Sequence, residues 1–260
     1  HPEKPLKEFM AKDLVIVKPY TDREEVARLV SRYDYLAIPV VDDDNRIVGI
    51  VTVDDVIDIL HEAATEDILK MAGVGEEYIE TQTVWRGTRI RLPWLFASFL
   101  GGVAAFFIIG GFEEDLAKFT TLAAFIPVIM GMGGNIGTQS STIVVRGIAT
   151  GRIEIQDFTK VVSKELAVGL ILGVIYGIFI GVIAKLTFAA EPFSMALAFS
   201  VGLAIIMSMS IAALVGSMVP LILERLNIDP AVATGPFVTT SIDIVSVYCY
   251  FMIATQLLDI

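Results

Sequence analysis

Hydrophobic and polar residues follow different patterns in the two parts of the chain. Between residues 14 and 91, short apolar runs alternate with charged segments. Beyond residue 91, long runs without charged side chains dominate, and only the last of them holds a charge, Asp243. These runs are residues 92–112, 119–145, 166–184, 192–223 and 231–258. Because a membrane-spanning helix needs about 20 apolar residues, the pattern predicts five such helices in succession.

Shorter periodicities in the first part predict a small mixed α/β fold. Thr21 with Glu24, and Thr52 with Asp55, match the capping-box spacing and predict two helix starts. A further helical piece is expected over residues 65–73. Apolar runs rich in β-branched residues predict strands over residues 14–17, 36–41 and 46–51, the last two joined as a hairpin.

Composition narrows the class of protein. Hydrophobic residues make up 55% of the 260 residues and charged residues 19%, below the roughly 25% charged that is usual in soluble domains. This excludes a disordered chain. The single cysteine, Cys249, excludes a disulfide framework or a cysteine-ligated zinc site. A net charge of −11 argues against nucleic acid as a partner. The first residue, His1, leads us to expect a piece of a longer protein.

The positions of basic residues predict an orientation in the membrane. Five spans place the two chain ends on opposite sides of the membrane. The loops on the side away from the first part contain only two basic residues, Lys118 and Lys185. The loops on the other side carry Arg86, Arg89, Arg91, Arg146, Arg152, Lys160, Lys164 and Arg225. Because positive charge marks the cytoplasmic side, we expect a cytosolic first part and an external C-terminus.

One stretch of the first part resembles a CBS motif, a regulatory module. The resemblance rests on IPVVD at residues 38–42 and IVGIVTVDDV at residues 47–56. Such modules normally work in pairs, and only one copy is present, so the resemblance implies a missing upstream partner. By itself it is a weak pointer to function, since these modules regulate enzymes, channels and transporters.

The membrane part is similar to the MgtE family of magnesium channels. The similar segments are PVIMGMGGNIGTQSS at residues 127–141, KE at 164–165, DP at 229–230 and PFVTTSID at 236–243. The resemblance implies an Mg²⁺ channel or transporter for magnesium uptake, and it implies that the family's N-terminal acidic domain and first CBS copy are missing here.

Asp243 is the main pore candidate. It is expected about halfway along the fifth span, where a carboxylate costs about 3 kcal/mol unless it faces water, a cation or a partner. Helical spacing would form one polar stripe from Pro236, Thr239 or Thr240, Asp243, and Ser246 or Val247. The alternative is a structural aspartate that is hydrogen-bonded to a hydroxyl group on another helix.

The glycine-rich segment in the second span is the other pore candidate. Gly131, Gly133, Gly134 and Asn135 interrupt the apolar run at membrane depth. Asn135 lies one helical turn before Gln139, which favours a pore wall. The alternative is a tight helix crossing, for which small residues are ordinary.

Charge within the spans points to a cation. No basic residue lies in any span, so an anion would find no counter-charge, whereas a carboxylate with hydroxyl and carbonyl oxygens suits a hard cation. One or two carboxylates contacting a hydrated ion suit Mg²⁺. A homodimer would bring two copies of Asp243 around one axis. The choice of Mg²⁺ over other divalent cations follows only from the family resemblance.

Acidic residues of the first part are candidates for a sensor. Asp54, Asp58, Glu62 and Glu66 recur every four residues, and like charges at that spacing repel on a helix. A solvated acidic face is the alternative. The resemblance assigns regulatory Mg²⁺ contacts to Glu24, Asp34, Asp55 and Asp58 in the CBS module. It also implies regulatory Mg²⁺ sites at Glu66, Asp67 and Asp229, where a connecting helix, expected over residues 78–91, is tied to the membrane part.

The combined expectation is a mixed fold: a small α/β CBS motif followed by an α-helical membrane domain of five transmembrane helices, as a homodimer. The expected domains are residues 1–73, a connecting segment at 74–91 and the membrane domain at 92–260. The expected partners are Mg²⁺, both transported and regulatory, the lipid bilayer of the plasma membrane and a second copy of the chain. Alternatives are a CBS-regulated transporter for another ion and a non-conducting membrane sensor.

Enzyme activity is not expected. An intramembrane zinc protease needs an HExxH motif, and the only histidines are His1 and His61, outside the spans. An aspartyl protease needs two membrane acids, and the spans hold one.

Overall fold

The computed structural model describes residues 14–74, 83–233 and 235–258, together with Pro5 and Met10. The chain divides into two compact units, His1–Glu66 and Asp67–Ile260, each with its own hydrophobic core. Of the expected connecting helix at residues 78–91, residues 78–82 lie outside the described residues. The domain boundaries predicted at residues 73 and 91 stay predictions.

The first unit is built around a two-stranded antiparallel hairpin. Its elements are α1 (Arg23–Tyr33), β1 (Ala37–Val41), β2 (Ile47–Thr52) and the start of α2 (Val53–Met71). Strand β1 pairs with β2 from Ala37 opposite Thr52 to Val41 opposite Ile47, with one irregularity. Val17 alone of the predicted first strand forms a bridge, parallel to Val40. The carboxylate of Asp42 closes the turn by accepting hydrogen bonds from the backbone N–H groups of Asp44 and Arg46.

The hydrophobic core of the first unit confirms its mixed α/β character. Val26, Ala27 and Val30 are buried on α1, where their spacing forms one face of the helix. They pack with Val17, with Ile38 of β1 and with Val56 of α2. The short sheet and the two helices therefore share a single small core.

Two local predictions for this unit were wrong. The N-cap of α1 is Asp22, whose side chain accepts from the N–H of Glu24, while the Thr21 hydroxyl accepts from the N–H of Lys18. In addition, α2 is continuous from Val53 to Met71, so no separate helix starts near residue 65. The Thr65 hydroxyl donates to the carbonyl of His61 within the helix instead of capping a new one.

Within the described residues, the second unit contains five helices that are long and apolar enough to cross a membrane, which confirms the sequence prediction. A short helix, α4 (Glu113–Lys118), follows the first of them, and short 3-10 turns precede three of the others. The helices are α3 (Val84–Gly111), α4 (Glu113–Lys118), α5 (Ile126–Ala149), α6 (Phe158–Thr187), α7 (Ser194–Arg225) and α8 (Pro236–Leu257).

Helix α3 continues through the predicted start of the first span. The sequence suggests a change from connecting helix to span at residue 91, but α3 runs without a break from Val84 to Gly111, with Pro93 inside it. Its residues are the least buried of the five membrane helices: 6% of its apolar window is buried, against 56% for α7. Helix α3 therefore presents most of its surface outward and packs mainly against α8.

Helix α7 lies at the centre of the membrane unit and packs against α5, α6 and α8. Its contact with α6 is close because α6 turns glycines toward it. A Cβ on Gly177 would lie 2.6 Å from the carbonyl oxygen of Gly202, and one on Gly169 would lie 2.9 Å from that of Met209. Small residues at such positions let helix backbones approach within a membrane.

Candidate ion-binding sites

Asp243 lies in the first half of α8. The helix begins at Pro236, which suits the first helical turn because its missing N–H is not needed there. Asp243 follows about two turns later, since a turn holds about 3.6 residues. It is therefore closer to the start of the helix than the halfway position expected from the uncharged run.

The Asp243 carboxylate lies beside the glycine-rich segment of α5. A Cβ on Gly134 would lie 3.7 Å from Asp243 Oδ1, so the absence of a side chain at Gly134 leaves this oxygen accessible from α5. The Asp243 side chain is half-buried. Within the described ranges, no group donates a hydrogen bond to it and no basic side chain forms an ion pair with it. The alternative of a hydroxyl-bound structural aspartate has no counterpart among these contacts.

The nearby serines bind one another and leave Asp243 without a donor. Ser246 Oγ lies 2.7 Å from Ser208 Oγ of α7, and Ser208 also donates weakly to the carbonyl of Ile129. Ser246 and Val247 are both buried in the bundle. The predicted polar stripe therefore does not continue past Asp243, because that side of α8 is packed against α5 and α7.

Two other predicted pore residues are close in sequence to these positions. Thr239 lies one turn before Asp243 and is half-buried, and its hydroxyl donates to the carbonyl of Pro236 at 3.2 Å. Asn135 follows Gly134 on α5, and its side chain is exposed. The structure thus leaves the Asp243 carboxylate and the Asn135 amide on two neighbouring helices, with the Thr239 hydroxyl one turn before Asp243.

The glycines of α5 fall into two groups. Gly133 and Gly137 face the bundle: a Cβ on Gly133 would lie 2.5 Å from Ser208 Oγ, and one on Gly137 would overlap the side chain of Ile242. Gly131 has no atom within 4 Å of an added Cβ, and Gly134 has only Asp243. The helix-crossing interpretation therefore applies to Gly133 and Gly137, whereas a pore wall at Gly131 and Gly134 stays a prediction.

A second group of ionised side chains lies where the end of α2 meets the membrane helices. Asp67 accepts from Arg146 of α5 at 3.2 Å, and Lys70 donates to Asp229 at 2.6 Å. We call these four residues the charge cluster. The Asp229 side chain also accepts from the N–H of Ala231 at 2.9 Å and so fixes the turn before α8. Both carboxylates of the cluster are thus paired with a basic side chain.

Burial and neighbouring charges act in opposite directions on Asp67. Burial raises the pKa of its carboxyl above the usual value, Arg146 lowers it, and the negative charge of Asp229 raises it. The influence of Asp229 indicates that the two ion pairs share one electrostatic environment. Carboxylate oxygens are ligands that Mg²⁺ accepts, but here the chain's own cations occupy the positions next to them.

The end of α2 also packs against the start of α8. Gly73 has a positive φ of 73°, and a Cβ there would lie 3.2 Å from Cδ of Pro236. A Cβ on Gly235 would lie 3.2 Å from the carbonyl oxygen of Met71. The segment that follows the charge cluster therefore touches the helix that carries Asp243.

The predicted sensor residues of the first unit are not assembled into a metal site. Glu24, Asp34, Asp55 and Asp58 are all exposed. Asp34 is the left-handed C-cap residue of α1. Across residues 14–74, 83–233 and 235–258, no three or more acidic, histidine or cysteine side chains come together as metal ligands. Their metal contacts stay predictions.

The repeating acidic residues of α2 do not share one role. Glu62 forms an ion pair with Arg23 at 3.0 Å, with both side chains more than half exposed. Glu66 is half-buried and is not without an interaction partner. The predicted row of repelling charges is therefore already relieved at Glu62.

Sequence reasoning missed the basic partners in the charge cluster. The sequence pattern relates Arg146 only to orientation in the membrane and gives Lys70 no role. Lys70 follows Glu66 by four residues and Asp67 by three, spacings at which helical side chains meet. That signal could have identified Lys70, whereas its pairing with Asp229 could not be inferred from local spacing.

Glu165 of α6 is a buried acid of the membrane unit and is 5% exposed. Its carboxylate accepts a hydrogen bond from Ser140 of α5 at 2.9 Å. It thereby links α6 to the helix that carries Gly134 and Asn135.

Comparison with known proteins gives two matching domains. Residues 126–253 match the MgtE divalent cation transporter family, and residues 6–62 match the CBS domain. The chain is 39% identical over 257 residues to the magnesium transporter MgtE of Thermus thermophilus, covering 97% of the chain and 55% of that protein. It is 35% identical over 254 residues to that of Bacillus subtilis, covering 98% and 55%. The chain thus spans about half the length of the curated relatives it matches.

Proposed function

The chain is a member of the MgtE family with a CBS domain ahead of its membrane helices, and on that premise we propose that it conducts Mg²⁺ across a membrane. The curated relatives are named magnesium transporters. The observation that carries the proposal is the Asp243 carboxylate, which lies in an apolar helix beside Gly134 without a partner among the described groups. Such a carboxylate is costly in a membrane unless water or a cation reaches it.

Asp243 would act by attracting a cation that keeps most of its water. Mg²⁺ loses water reluctantly and is usually held by one or two carboxylates. Gly134 leaves space beside Oδ1, and the exposed Asn135 offers an amide that can hydrogen-bond to the ion's water. Thr239 lies one turn before Asp243 and would add oxygen atoms further along the same pathway. Attraction without full dehydration allows the ion both to enter and to leave.

A homodimer would complete this pathway. One copy offers one Asp243 carboxylate, whereas two copies related by a two-fold axis would bring two of them to the same level. The partly exposed Asp243 and the outward-facing α3 are consistent with surfaces that a second copy covers.

Regulation by cytosolic Mg²⁺ is the second part of the proposal. When Mg²⁺ is high, ions would bridge carboxylates of the acidic module, the end of α2 and the Asp229 turn, and would hold the pore shut. An ion can shift such an equilibrium only through its different affinity for the two states. The contact of Gly73 with Pro236 supports a link from this region to α8.

The proposed location is a plasma membrane, with the first unit cytosolic and the C-terminus outside. The basic residues at the ends of the helices carry this orientation. Cysteine labelling at exposed positions, such as Asp44 for the first unit and Lys185 for the opposite side, would test it in intact cells.

The direct test is reconstitution of the full chain in liposomes with a Mg²⁺-sensitive dye inside. We expect Mg²⁺ uptake into the liposomes. In electrical recordings of the reconstituted chain with asymmetric MgCl₂, we expect a reversal potential close to the equilibrium potential of Mg²⁺. A reversal potential set by chloride would indicate an anion channel. Absence of any flux in folded protein would favour a non-conducting sensor.

A further inference from the structure

We propose that Lys70 and Arg146 are built-in competitors of Mg²⁺, which occupy the carboxylates of the charge cluster when the ion is absent and thereby set the Mg²⁺ concentration at which the pore closes. The inference rests on the proposed regulation by cytosolic Mg²⁺. It goes beyond that regulation by assigning two basic residues a role in its threshold.

Geometry is the first support. Lys70 Nζ lies 2.6 Å from Asp229 Oδ2, and Arg146 lies 3.2 Å from Asp67 Oδ2. These are contact distances for charge-assisted hydrogen bonds. An Mg²⁺ ion or its inner water cannot occupy the same side of these oxygens while the basic groups remain there, so binding at either Oδ2 requires the ion pair at that oxygen to separate.

Electrostatics is the second support. The charge cluster contains two acids and two bases, so its formal charge is zero before any ion binds. Adding Mg²⁺ without displacement would leave an excess of two positive charges in a partly buried region, where charges interact more strongly than in water. Exposed fractions of 20–42% for the four side chains leave room for water and for such an exchange.

Position is the third support. The Asp229 carboxylate also accepts a hydrogen bond from the N–H of Ala231, in the turn that precedes α8. Gly73, three residues after Lys70, packs against Pro236 at the start of α8. An exchange of Lys70 for Mg²⁺ at Asp229 would therefore act on the turn from which the Asp243 helix begins. The geometry links the choice of cation at this carboxylate to the pore helix.

The competition predicts that removing a basic partner lowers the Mg²⁺ concentration needed for the response. The test uses the full chain in liposomes and measures the Mg²⁺ concentration that half-protects it from proteinase K, beside the concentration that half-inhibits flux. For Lys70→Met we expect both midpoints to fall about three- to tenfold, because a partly exposed unit charge acts on a divalent ion. Lys70→Gln keeps a polar side chain and replaces the first variant if that one folds poorly. Both midpoints should fall by the same factor in Lys70→Gln.

The matched control is Lys160→Met, which removes an exposed lysine of the basic side that has no carboxylate partner among the described residues. Its midpoints should match those of the unchanged chain. Asp229→Asn should raise the midpoints, and Lys70→Met added to Asp229→Asn should change them less than twofold, since the competition requires the carboxylate. This double-mutant cycle isolates the pair.

The possible results separate the inference from the function on which it rests. Unchanged or raised midpoints in Lys70→Met, with a clear effect of Asp229→Asn, would overturn the competition and leave Mg²⁺ regulation in place. A full Lys70→Met effect in the absence of the Asp229 carboxylate would also overturn it. No protection of the unchanged chain at any Mg²⁺ concentration would remove the regulation and the inference together.

Discussion

The two groups of carboxylates in the membrane unit differ in what surrounds them. Asp243 lies beside an open glycine and has no hydrogen-bond donor or cation among the described groups. Asp67 and Asp229 lie near the helix ends, and each contacts a basic side chain. The first carboxylate is surrounded by apolar helices, whereas the others are surrounded by balanced charge.

This difference suits two different uses of the same ion. An unpaired carboxylate can attract a hydrated cation without breaking an existing contact, so it suits rapid passage. A paired carboxylate binds a cation only by giving up its partner, so it responds above a threshold. The same residue type can therefore serve conduction in one place and sensing in the other.

The largest expected effect is on conduction through Asp243. Asp243→Ala should reduce Mg²⁺ flux in liposomes at least about tenfold, because it removes the only acid in the uncharged run of α8. Asp243→Asn keeps the shape and should lose nearly as much. Ser246→Ala, which changes a buried hydroxyl on the same helix, is the control for helix packing. Flux unchanged by Asp243→Ala in folded protein would refute the assignment.

The next effect separates the two kinds of glycine on α5. Gly137→Ala should destabilise the protein by about 1–3 kcal/mol, because the new methyl group overlaps Ile242 in a packed core. Gly134→Ala meets only Asp243 at an ordinary contact distance, so stability should hold while flux falls. Thermal unfolding in detergent and liposome flux measure the two quantities. Equal stability of the two variants would contradict the division between crossing and pore wall.

A smaller effect is expected at the second ion pair of the charge cluster. Arg146→Met should lower the Mg²⁺ midpoint for proteinase K protection about two- to fourfold, less than Lys70→Met, because its ion pair is longer and the arginine is 42% exposed. Arg152→Met provides the control on the same side. If Arg146→Met exceeded Lys70→Met, the ranking of the two pairs would be wrong.

The smallest effect is expected in the first unit. Asp58→Ala and Asp55→Ala should each reduce Mg²⁺ protection of this unit by less than about twofold, since both side chains are exposed and the ion is screened by water there. Asp44→Ala in the hairpin turn is the control. Protection unaltered by either change would leave the solvated acidic face as the simpler interpretation.

Much of the fold could be predicted because its signals are local. Uncharged runs of about 20 residues predict membrane helices through the cost of exposing backbone and charge to lipid, and all five are present. The hairpin followed from its apolar runs and polar turn. The exact start of α1 could not be predicted, because Thr21 and Asp22 are both good N-cap residues. In the structure, Asp22 is the N-cap.

Within the candidate sites, the sequence identified the acids but not their partners. Asp243 stood out because a charge in an apolar run is rare. The pairings of Lys70 with Asp229 and Arg146 with Asp67 join residues far apart in the chain, so no spacing rule predicts them.

The sequence by itself determined the five apolar helices, the small α/β module and the acid in the last apolar run, Asp243, because hydrophobic length and periodicity act along the chain. Only the tertiary structure decided which glycines cross helices, which carboxylate stays unpaired and which ones are neutralised. Those outcomes depend on which helix faces meet, since the free energy of a charge is set by its neighbours in space.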